Sequence, residues 1–332
     1  MALASLRILS AADLRRLVPM ADAIEIVARA FIDLSHGLAA APLRTHLEGG
    51  GGTALYMPAR LPGLGALGVK AVSVFPENPS RGLPTITAVV LIQDAATGLP
   101  VGLIEGASLT ALRTGAASGL ATRLLSRPDA SICALFGVGA QARTQLEGVC
   151  AVREVTQVRV VGRDPSRTED FVGWARGQPW LRGATVVRAS DPALAVRGAA
   201  LIVTATTSPT PVVPTAEVAP GAHLNVIGAF TPQRREVEGE LVARAMVVVD
   251  SRDAALAEAG DLLLAIAEGR FAPDRIHAEI GEVAAGERPG RRRAEEVTLF
   301  KSVGTAVLDV AVGAEALRRA AAAGVGLAAT LA

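Results

Sequence analysis

Apolar residues follow two different patterns along the chain, and the change from one to the other divides the sequence into two parts. Near the start, residues 22–36 carry apolar side chains at helical spacing, and Gly37 is a typical helix stop. Residues 53–105 then form several short apolar runs of β type, separated by turn signals such as PENPSRG. This succession of strands predicts a sheet domain, and the small residues of 107–125 predict a long helix after it.

From residue 131 onward, short apolar runs alternate with helical patterns. Buried strands separated by helices over this length predict a parallel, doubly wound sheet of the α/β class. The last stretch, residues 299–324, carries apolar positions at helical spacing and is expected to form one long amphipathic helix. The strands expected in this half are SICALFGVG, QVRVVG, ATVVRA, ALIVTAT, HLNVIGAF and AMVVVDS.

Length and charge narrow the classes of function. The chain has 332 residues, which suits two domains better than one. Its net charge of +1, from 33 basic and 32 acidic residues, argues against nucleic acid and anionic membrane as partners. No stretch approaches the ~18 consecutive apolar residues of a transmembrane helix, and the first residues lack the apolar core of a signal peptide. These features predict a cytoplasmic protein.

The two cysteines are not expected to form a disulfide or to bind a metal. Cys133 lies in a predicted strand and Cys150 in a predicted helix. Two cysteines are too few for a disulfide framework, and they lack metal-ligand spacing. We expect both to be buried, reduced thiols, and we expect no metal site.

Residues 137–142, GVGAQA, have the Gly-x-Gly-x-x-Ala form of a dinucleotide-binding turn. Gly137 would allow the tight turn, Gly139 would let the backbone approach a pyrophosphate, and Ala142 would keep the helix close to the strand. The N–H groups at the helix start would then hold the phosphates. The expected strand before the motif, helix after it and second strand beyond make the match specific. An ordinary glycine turn without a ligand is the alternative.

The end of the second strand of this domain bears on the coenzyme preference. A site for NAD usually has an acidic residue here, which binds the ribose 2′-hydroxyl. This chain has Gly162 instead, and Arg163, Ser166 and Arg167 follow it. Guanidinium groups suit a 2′-phosphate, so NADPH is the expected coenzyme and NADH the alternative. Asp164 is the opposing feature, because a carboxylate turned toward the ribose would favour NADH.

Three cationic residues stand in notable surroundings. Arg44 follows a proline and a leucine, Lys70 lies inside the apolar strand LGVKAVSVF, and Arg113 lies in the small-residue helix LTALRTGAAS. A lysine in a buried strand is costly unless a partner compensates it. One interpretation is a strand edge at which Lys70 reaches solvent. The other is a site for a carboxylate, which requires fixed cations.

Several long stretches of the chain match one protein family. They are PLRTH (42–46), GVKAVSVFPEN (68–78), GLPT (82–85), LTALRTGAAS (109–118), GVGAQA (137–142), HLNVIGAFTPQRRE (223–236) and FKSVGTAVLD (300–309). The most specific feature is LTALRTGAAS joined to GVGAQA at this spacing. With these stretches the chain resembles the ornithine cyclodeaminase/mu-crystallin family nearly from end to end.

The resemblance implies a fold and a separate function for each of its two domains. In this family a Rossmann domain is inserted between a β-rich domain and a C-terminal helix that returns to it. The β-rich domain binds substrate and usually forms the dimer. We therefore expect an α/β protein in which residues 1–118 and 303–332 form the substrate-binding and dimerisation domain. Residues 119–302 would form the Rossmann domain, and the protein would be a homodimer.

The resemblance also implies roles for single residues. Arg44 and Lys70 would contact the substrate, mainly its carboxylate, and Lys70 is the best candidate for a catalytic proton donor. His46 and His223 are expected to be structural. The expected substrate-binding residues are Arg44, Lys70, Arg113, Phe230 and Val303. Together with the motif residues, the expected coenzyme-binding residues are Thr85, Arg113, Gly137, Gly139, Ala140, Gln141, Gly162, Arg163, Arg167, Thr204, Thr206, Val226, Ile227 and Ser302.

Phe230 marks a departure from part of the family. The cyclodeaminases, and the archaeal alanine dehydrogenases that resemble them, carry an Asp at this position. Phenylalanine cannot move the protons that cyclodeamination needs, but it can offer an apolar wall to a ring. The GAFTP form resembles that of the bacterial Δ1-pyrroline-2-carboxylate reductases. The expected reaction is NADPH-dependent reduction of a cyclic imino acid, giving L-proline from the pyrroline or L-pipecolate from the piperideine.

Two rival functions stay open on the sequence. One is another amino-acid enzyme, an ornithine cyclodeaminase or an alanine dehydrogenase, and Phe230 argues against both. The other is a non-catalytic, mu-crystallin-like protein that binds NADPH or a small molecule. The intact set of Arg44, Lys70 and Arg113 argues against that passive role.

Overall fold

The computed structural model describes residues 5–330 and separates them into two compact units. One unit contains the described residues up to Arg113 and from Thr305 onward, and the other contains Thr114–Gly304. The assignment of substrate binding to one part of the chain and coenzyme binding to the other stays a prediction.

The strands alternate with helices only in the second unit, as the sequence pattern predicts. The strands are β1 (Ser5–Leu9), β2 (Thr45–Gly49), β3 (Gly52–Leu61), β4 (Ala66–Val74), β5 (Ile86–Asp94), β6 (Pro100–Glu105), β7 (Ile132–Phe136), β8 (Gln157–Val161), β9 (Thr185–Arg188), β10 (Leu201–Thr204), β11 (His223–Val226), β12 (Met246–Val249), β13 (Ile276–Glu279), β14 (Thr298–Lys301) and β15 (Leu327–Thr330). The helices are α1 (Ala11–Leu17), α2 (Met20–Ser35), α3 (Gly106–Leu125), α4 (Ala140–Cys150), α5 (Pro165–Arg176), α6 (Pro192–Val196), α7 (Gly239–Arg244), α8 (Arg252–Glu258), α9 (Gly260–Ala267), α10 (Ile280–Ala284) and α11 (Ala306–Ala323).

The first unit is built on a sheet in the order β15-β1-β6-β5-β4-β3-β2. Neighbouring strands are antiparallel except β1 and β6. Helix α11 packs against one face of this sheet because glycines let it approach closely. A Cβ on Gly68 would lie 2.7 Å from Val310, and one on Gly102 would lie 2.2 Å from Leu317. This close packing sets α11 directly over β4, the strand that carries Lys70.

The second unit is built on a parallel sheet in the order β13-β12-β14-β11-β10-β7-β8-β9. Every neighbouring pair in it is parallel. The chain runs outward from β7 to β9 and then returns to place β10 on the other side of β7. This reversal is the switch point of a doubly wound sheet, where such folds bind their ligands. The α/β class predicted from the sequence is confirmed.

The predicted long helix over 299–324 is wrong at its start. Residues Thr298–Lys301 form the fully buried strand β14, which lies between β11 and β12. The chain turns at Gly304, which has a φ of +86°, and α11 begins only at Ala306, capped by the hydroxyl of Thr305. A short apolar run is compatible with both a buried strand and a buried helix, so periodicity alone cannot separate them.

Within residues 5–330, no helix is long and apolar enough to cross a membrane. Both cysteines are free thiols. Cys133 is buried in β7 as expected, whereas Cys150 is only half-buried at the end of α4, so that expectation was wrong for Cys150. Burial raises the pKa of both thiols, to about 12 for Cys150. Neither is therefore a reactive nucleophile at neutral pH.

Candidate functional site

The glycine motif lies at the carboxyl end of β7, at the switch point of the second unit. Gly137 has a φ of +107°, and a Cβ there would lie 2.4 Å from the carbonyl oxygen of Ala205, so the turn requires glycine. A Cβ on Gly139 would meet nothing within 4 Å, which leaves the start of α4 open to an approaching group. Ala142 is fully buried against the strand.

The start of α4 has the features of a phosphate-binding helix end. Gly139 is the N-cap residue and contributes no side-chain cap to the first N–H groups of the helix. Gly139 and Ala140 are exposed. In the next residue, Gln141, the side-chain oxygen is buried and has no hydrogen-bond partner among the described residues. Uncapped helix N–H groups attract anions, so this end of the unit fits the pyrophosphate of a dinucleotide.

The other expected coenzyme residues of this unit follow the carboxyl ends of neighbouring strands. Thr204 and Val226 are the last residues of β10 and β11, and Ile227 comes directly after β11. Thr206 is two residues beyond β10, and Ser302 follows β14. Since the carboxyl ends of parallel strands meet at one edge of a sheet, these positions share an edge with Gly137.

Three of these residues use their hydroxyl groups inside the protein. The Thr204 and Thr206 hydroxyls donate to the buried carboxylate of Glu236, at 2.8 and 2.7 Å. The Ser302 hydroxyl donates to Asp250 at 2.7 Å, and the backbone N–H groups of Val303 and Gly304 donate to the same oxygen. Sequence reasoning missed both acids. A buried-looking Asp directly after the apolar strand AMVVVD was the available signal for Asp250.

After the end of β8, the exposed residue Asp164 is the N-cap of helix α5. Its carboxylate caps α5 by accepting hydrogen bonds from the N–H groups of Ser166 and Arg167, at 2.9 and 3.2 Å. A Cβ on Gly162 would lie 2.2 Å from the hydroxyl of Thr168, so packing alone requires glycine there. Arg163 and Arg167 are exposed. The Asp164 carboxylate, which is the feature that opposes an NADPH preference, therefore also has a structural role as the cap of α5.

In the first unit, two of the three expected cations converge on one acid. Lys70 and Arg113 are buried, at 2% and 4% exposure. The Lys70 Nζ lies 2.8 Å from Asp309 Oδ2, and the Arg113 Nε lies 3.2 Å from Asp309 Oδ1. Thr110 completes the cluster, with its hydroxyl 3.4 Å from the Lys70 Nζ. Lys70 is thus not at a solvent-reaching strand edge but in a buried ionic cluster.

The cluster is cationic and incomplete. With all three groups ionised, Lys70, Arg113 and Asp309 carry one net positive charge. Within the described part of the chain, the Arg113 Nη1 is buried and has no hydrogen-bond partner. A buried donor without a partner costs about 1–3 kcal/mol, so the cluster would be stabilised by an anionic ligand that accepts from it.

Burial and neighbouring charges shift the pKa values of this cluster. Burial lowers the pKa of Lys70 to about 8; Asp309 opposes this shift, while Arg113 and Arg44 add to it. Burial alone would raise the pKa of Asp309, but the charges of Arg113 and Lys70 and their hydrogen bonds lower it below its usual value. Lys70 can therefore exchange a proton near physiological pH.

The remaining expected residues lie at separate positions. Arg44 is half-buried just before β2, near enough to influence Lys70 by its charge. Thr85 is half-buried before β5, whose first residue Ile86 pairs with Val74 at the far end of β4. Phe230, in the second unit, is 40% exposed. Val303 is buried behind the turn after β14.

The two expected structural histidines differ in their surroundings. His223 is buried between Thr298 and Asn225, with ring nitrogens 3.0 and 3.3 Å from their side-chain oxygens. Burial lowers the pKa of His223 to about 3, with the charge of Arg291 acting in the same direction. It is therefore neutral at physiological pH. His46 is exposed on β2.

The parallel sheet, its switch point and the glycine turn define a Rossmann-type protein. The sequence model of the ornithine cyclodeaminase/mu-crystallin family matches residues 5–323, and the chain belongs to that family. A Bacillus cereus Delta(1)-pyrroline-2-carboxylate reductase is 40% identical over 322 residues, 96% of this chain and 98% of the relative.

Solved structures of family members share the fold over almost the whole chain. The Thermococcus litoralis Delta(1)-pyrroline-2-carboxylate reductase, in complex with NADH and L-proline, is 40% identical with a TM-score of 0.92, covering 97% of this chain and 99% of its own. An archaeal alanine dehydrogenase dimer with bound NAD is 33% identical with a TM-score of 0.92, covering 99% and 100%.

Proposed function

We propose that the chain reduces cyclic ketimine carboxylates with a nicotinamide coenzyme. The substrates are Δ1-pyrroline-2-carboxylate, which gives L-proline, and Δ1-piperideine-2-carboxylate, which gives L-pipecolate. The observation that carries this proposal is the buried cationic cluster of Lys70, Arg113 and Asp309, in which one guanidinium nitrogen has no partner in the part of the chain that the structure describes. The similarity to reductases of Δ1-pyrroline-2-carboxylate supports the same reaction.

The cations of the first unit hold the substrate carboxylate. Arg44 and Arg113 provide guanidinium groups, which can bind a carboxylate through paired hydrogen bonds. The carboxylate adds the negative charge that the cluster lacks. Fixing the substrate in this way orients its C=N bond, and orientation of that kind contributes several kcal/mol to catalysis.

Lys70 is the proposed acid. When bound, the coenzyme supplies the hydride that reaches C2 of the ring. The ring nitrogen must carry a proton as the C=N bond becomes a C–N bond, and the Lys70 ammonium holds or supplies that proton. Asp309 keeps Lys70 in place and favours its charged form against the burial that disfavours it.

The second unit holds the coenzyme. Gly137, Gly139, Ala140 and Gln141 would bind the pyrophosphate at the start of α4. The strand-end residues Thr204, Thr206, Val226, Ile227 and Ser302 would line the inner half. Arg163 and Arg167 favour NADPH over NADH, because their exposed guanidinium groups can pair with a 2′-phosphate. The Asp164 carboxylate accepts two N–H groups at the start of α5 but keeps its charge, so it weakens this preference.

The chain forms a homodimer through the first unit. Helix α11 covers one face of its sheet, and the other face carries a cross-strand row of partly exposed apolar side chains from Pro58, Val69, Leu91 and Leu103. A contiguous apolar sheet face is a typical protein interface. The similar archaeal alanine dehydrogenase is a dimer. Light scattering on the purified protein should give the mass of two chains, and the mass of one chain would exclude the dimer.

The reaction is tested with a substrate panel, by following the absorbance of the reduced coenzyme. NADPH and NADH are each assayed with Δ1-pyrroline-2-carboxylate, with the piperideine homologue, and with pyruvate plus ammonia. Ornithine is assayed with NAD by the ammonia released, because cyclodeamination returns the hydride to the product and leaves the coenzyme unchanged overall. Rapid turnover of the cyclic imines alone is expected. Faster turnover of pyruvate plus ammonia would favour an alanine dehydrogenase, and conversion of ornithine would favour a cyclodeaminase. No turnover with any substrate would favour a binding protein.

A further inference from the structure

Glu236 is a fully buried acid of the second unit that the proposed reaction does not use. It lies between β11 and α7, and its two carboxylate oxygens accept four hydrogen bonds. One oxygen accepts from the Thr204 hydroxyl at 2.8 Å and from the Gly228 N–H at 2.6 Å. The other accepts from the N–H and the hydroxyl of Thr206, both at 2.7 Å.

These donors belong to two different loops. Thr204 and Thr206 end β10 and enter the loop after it, whereas Gly228 lies in the loop after β11. A Cβ on Gly228 would lie 2.3 Å from the Thr206 carbonyl oxygen and 2.4 Å from a carboxylate oxygen of Glu236. The two loops therefore meet closely at this acid, and only glycine fits at the junction.

Asp261 and Lys301 hold the backbone around Glu236 in place. Asp261, in α9, accepts from the backbone N–H groups of Glu236 and Val237, at 2.7 and 3.1 Å. Lys301 lies 2.8 Å from Asp261 and donates to the carbonyl oxygen of Ala229, which precedes Phe230. All three charged side chains are fully buried. The backbone that carries Glu236 is thus held in one position.

We infer that Glu236 is a positioning residue for the inner, nicotinamide half of the coenzyme site. It joins the loop after β10 to the loop after β11, and these loops carry Thr204, Thr206 and Ile227, which are proposed to line that half. The inference rests on the proposed coenzyme site. Two loops that are already joined need no ordering when the coenzyme binds, and preorganisation of this kind strengthens binding.

Glu236→Gln tests the inference with little change in shape. The amide keeps one acceptor oxygen but replaces the other with an NH2 group. In either orientation this NH2 group, which is a donor, lies against a backbone N–H, that of Gly228 or that of Thr206, and the hydrogen bond to that N–H is lost. Dissociation constants are measured by isothermal titration calorimetry for NADPH and for 2′-phospho-ADP-ribose, which lacks the nicotinamide. NADH and ADP-ribose are used instead if the wild type binds them more tightly. Thermal unfolding is recorded in parallel.

The expected result is a difference between the whole coenzyme and its fragment. Glu236→Gln should raise the dissociation constant of the whole coenzyme about tenfold, as expected for one lost hydrogen bond to a charged group, and leave that of the fragment unchanged. Equal weakening of both, or no weakening of the whole coenzyme, would overturn the inference. A wild type that binds neither probe would instead overturn the proposed coenzyme site.

Two further variants separate positioning from general stability. Glu282→Gln is the control, because Glu282 is another acid of this unit with a structural role: it is partly buried, pairs with Arg252 and caps α10. It should lower the unfolding temperature and leave coenzyme binding unchanged. Glu236→Asp keeps the charge but is one methylene shorter, so it can hold only one loop. It should reproduce the selective loss, and it serves as the test if Glu236→Gln does not fold.

Discussion

Each unit of the molecule buries a cluster of three charged side chains, and the two clusters are opposite in character. In the first unit, Lys70 and Arg113 flank Asp309, which leaves one net positive charge. In the second unit, Asp261 and Glu236 accompany Lys301, which leaves one net negative charge if all are ionised.

The clusters also differ in how far the protein itself satisfies them. In the negative cluster Glu236 accepts four hydrogen bonds. Its neighbour Asp261 has one oxygen, Oδ2, without a hydrogen bond among the described residues, but this oxygen lies 2.8 Å from the Lys301 ammonium, which supplies the opposite charge. The positive cluster has a buried guanidinium nitrogen, the Arg113 Nη1, without a partner among residues 5–330. Buried polar groups are nearly always paired, and an exception needs an explanation. The comparison therefore separates a cluster in which the acids are balanced within the protein from one that keeps a buried donor and a net positive charge.

The largest effect is expected for Lys70→Ala. Removal of the proposed acid should lower kcat/KM for Δ1-pyrroline-2-carboxylate at least ~10²-fold, as general acid catalysis typically contributes. Coenzyme affinity should not change, because Lys70 is not among the proposed coenzyme-binding residues. Lys70→Arg is the control: it keeps the charge but cannot release a proton at neutral pH, so it should retain L-proline binding and lose turnover. Full activity of Lys70→Arg would exclude the acid role.

Asp309→Asn should damage stability and the pH profile together. It leaves two buried cations without their counter-charge, which costs about 3 kcal/mol in the free energy of unfolding. Denaturant titration measures this loss. The same change removes the charge that supports the Lys70 ammonium, so the alkaline limb of the activity profile should move to lower pH. A stable variant with an unshifted profile would mean that Asp309 does not control Lys70.

The wild-type pH profile should have an alkaline limb near the pKa of Lys70. Since the pKa of Lys70 is lowered to about 8, the ammonium form predominates below pH 8 and is lost above it. If this form is required, kcat/KM should fall about tenfold per pH unit beyond that point. A bound carboxylate favours the ammonium, so the limb in kcat should lie at higher pH. Constant activity to pH 10 would contradict this assignment.

The smallest effect is expected at the coenzyme's ribose. Arg163→Ala should lower the preference for NADPH over NADH about fivefold, because exposed ion pairs contribute up to about 1 kcal/mol. The measurement is the ratio of kcat/KM values for the two coenzymes. Arg293→Ala, at an exposed arginine of the same unit, is the control and should not alter this ratio. An unchanged ratio in Arg163→Ala would remove that residue from the coenzyme site.

The sequence predicts local features well and long-range partners poorly. The strand that carries Lys70, the helix that carries Arg113 and the glycine turn at Gly137 all follow from local patterns. Asp309 does not, since it is 239 residues from Lys70 along the chain and meets it only through the packing of α11 on β4. The available signal was a single acid inside the apolar helix AVLDVAVG.

Glu236 shows the same limit in the second unit. Nothing in the local pattern QRREVEGE distinguishes it from its charged neighbours. Its burial depends on the meeting of the loops after β10 and β11 with α9, which lies 25 residues further along the chain at Asp261. Strand β14 was missed for a related reason: its four residues gain strand character only from β11 and β12 on either side.

The most direct test of the cationic site compares one substrate with and without its carboxylate. The steady-state kcat/KM is measured for Δ1-pyrroline-2-carboxylate and for Δ1-pyrroline, under the same conditions and with the same coenzyme. If Arg44, Lys70 and Arg113 bind the carboxylate, the unsubstituted imine should react at least about 10³-fold less efficiently, because it brings neither the negative charge that balances the cluster nor an acceptor for the buried Arg113 Nη1, which has no partner among residues 5–330. Equal efficiency for the two imines would contradict the account.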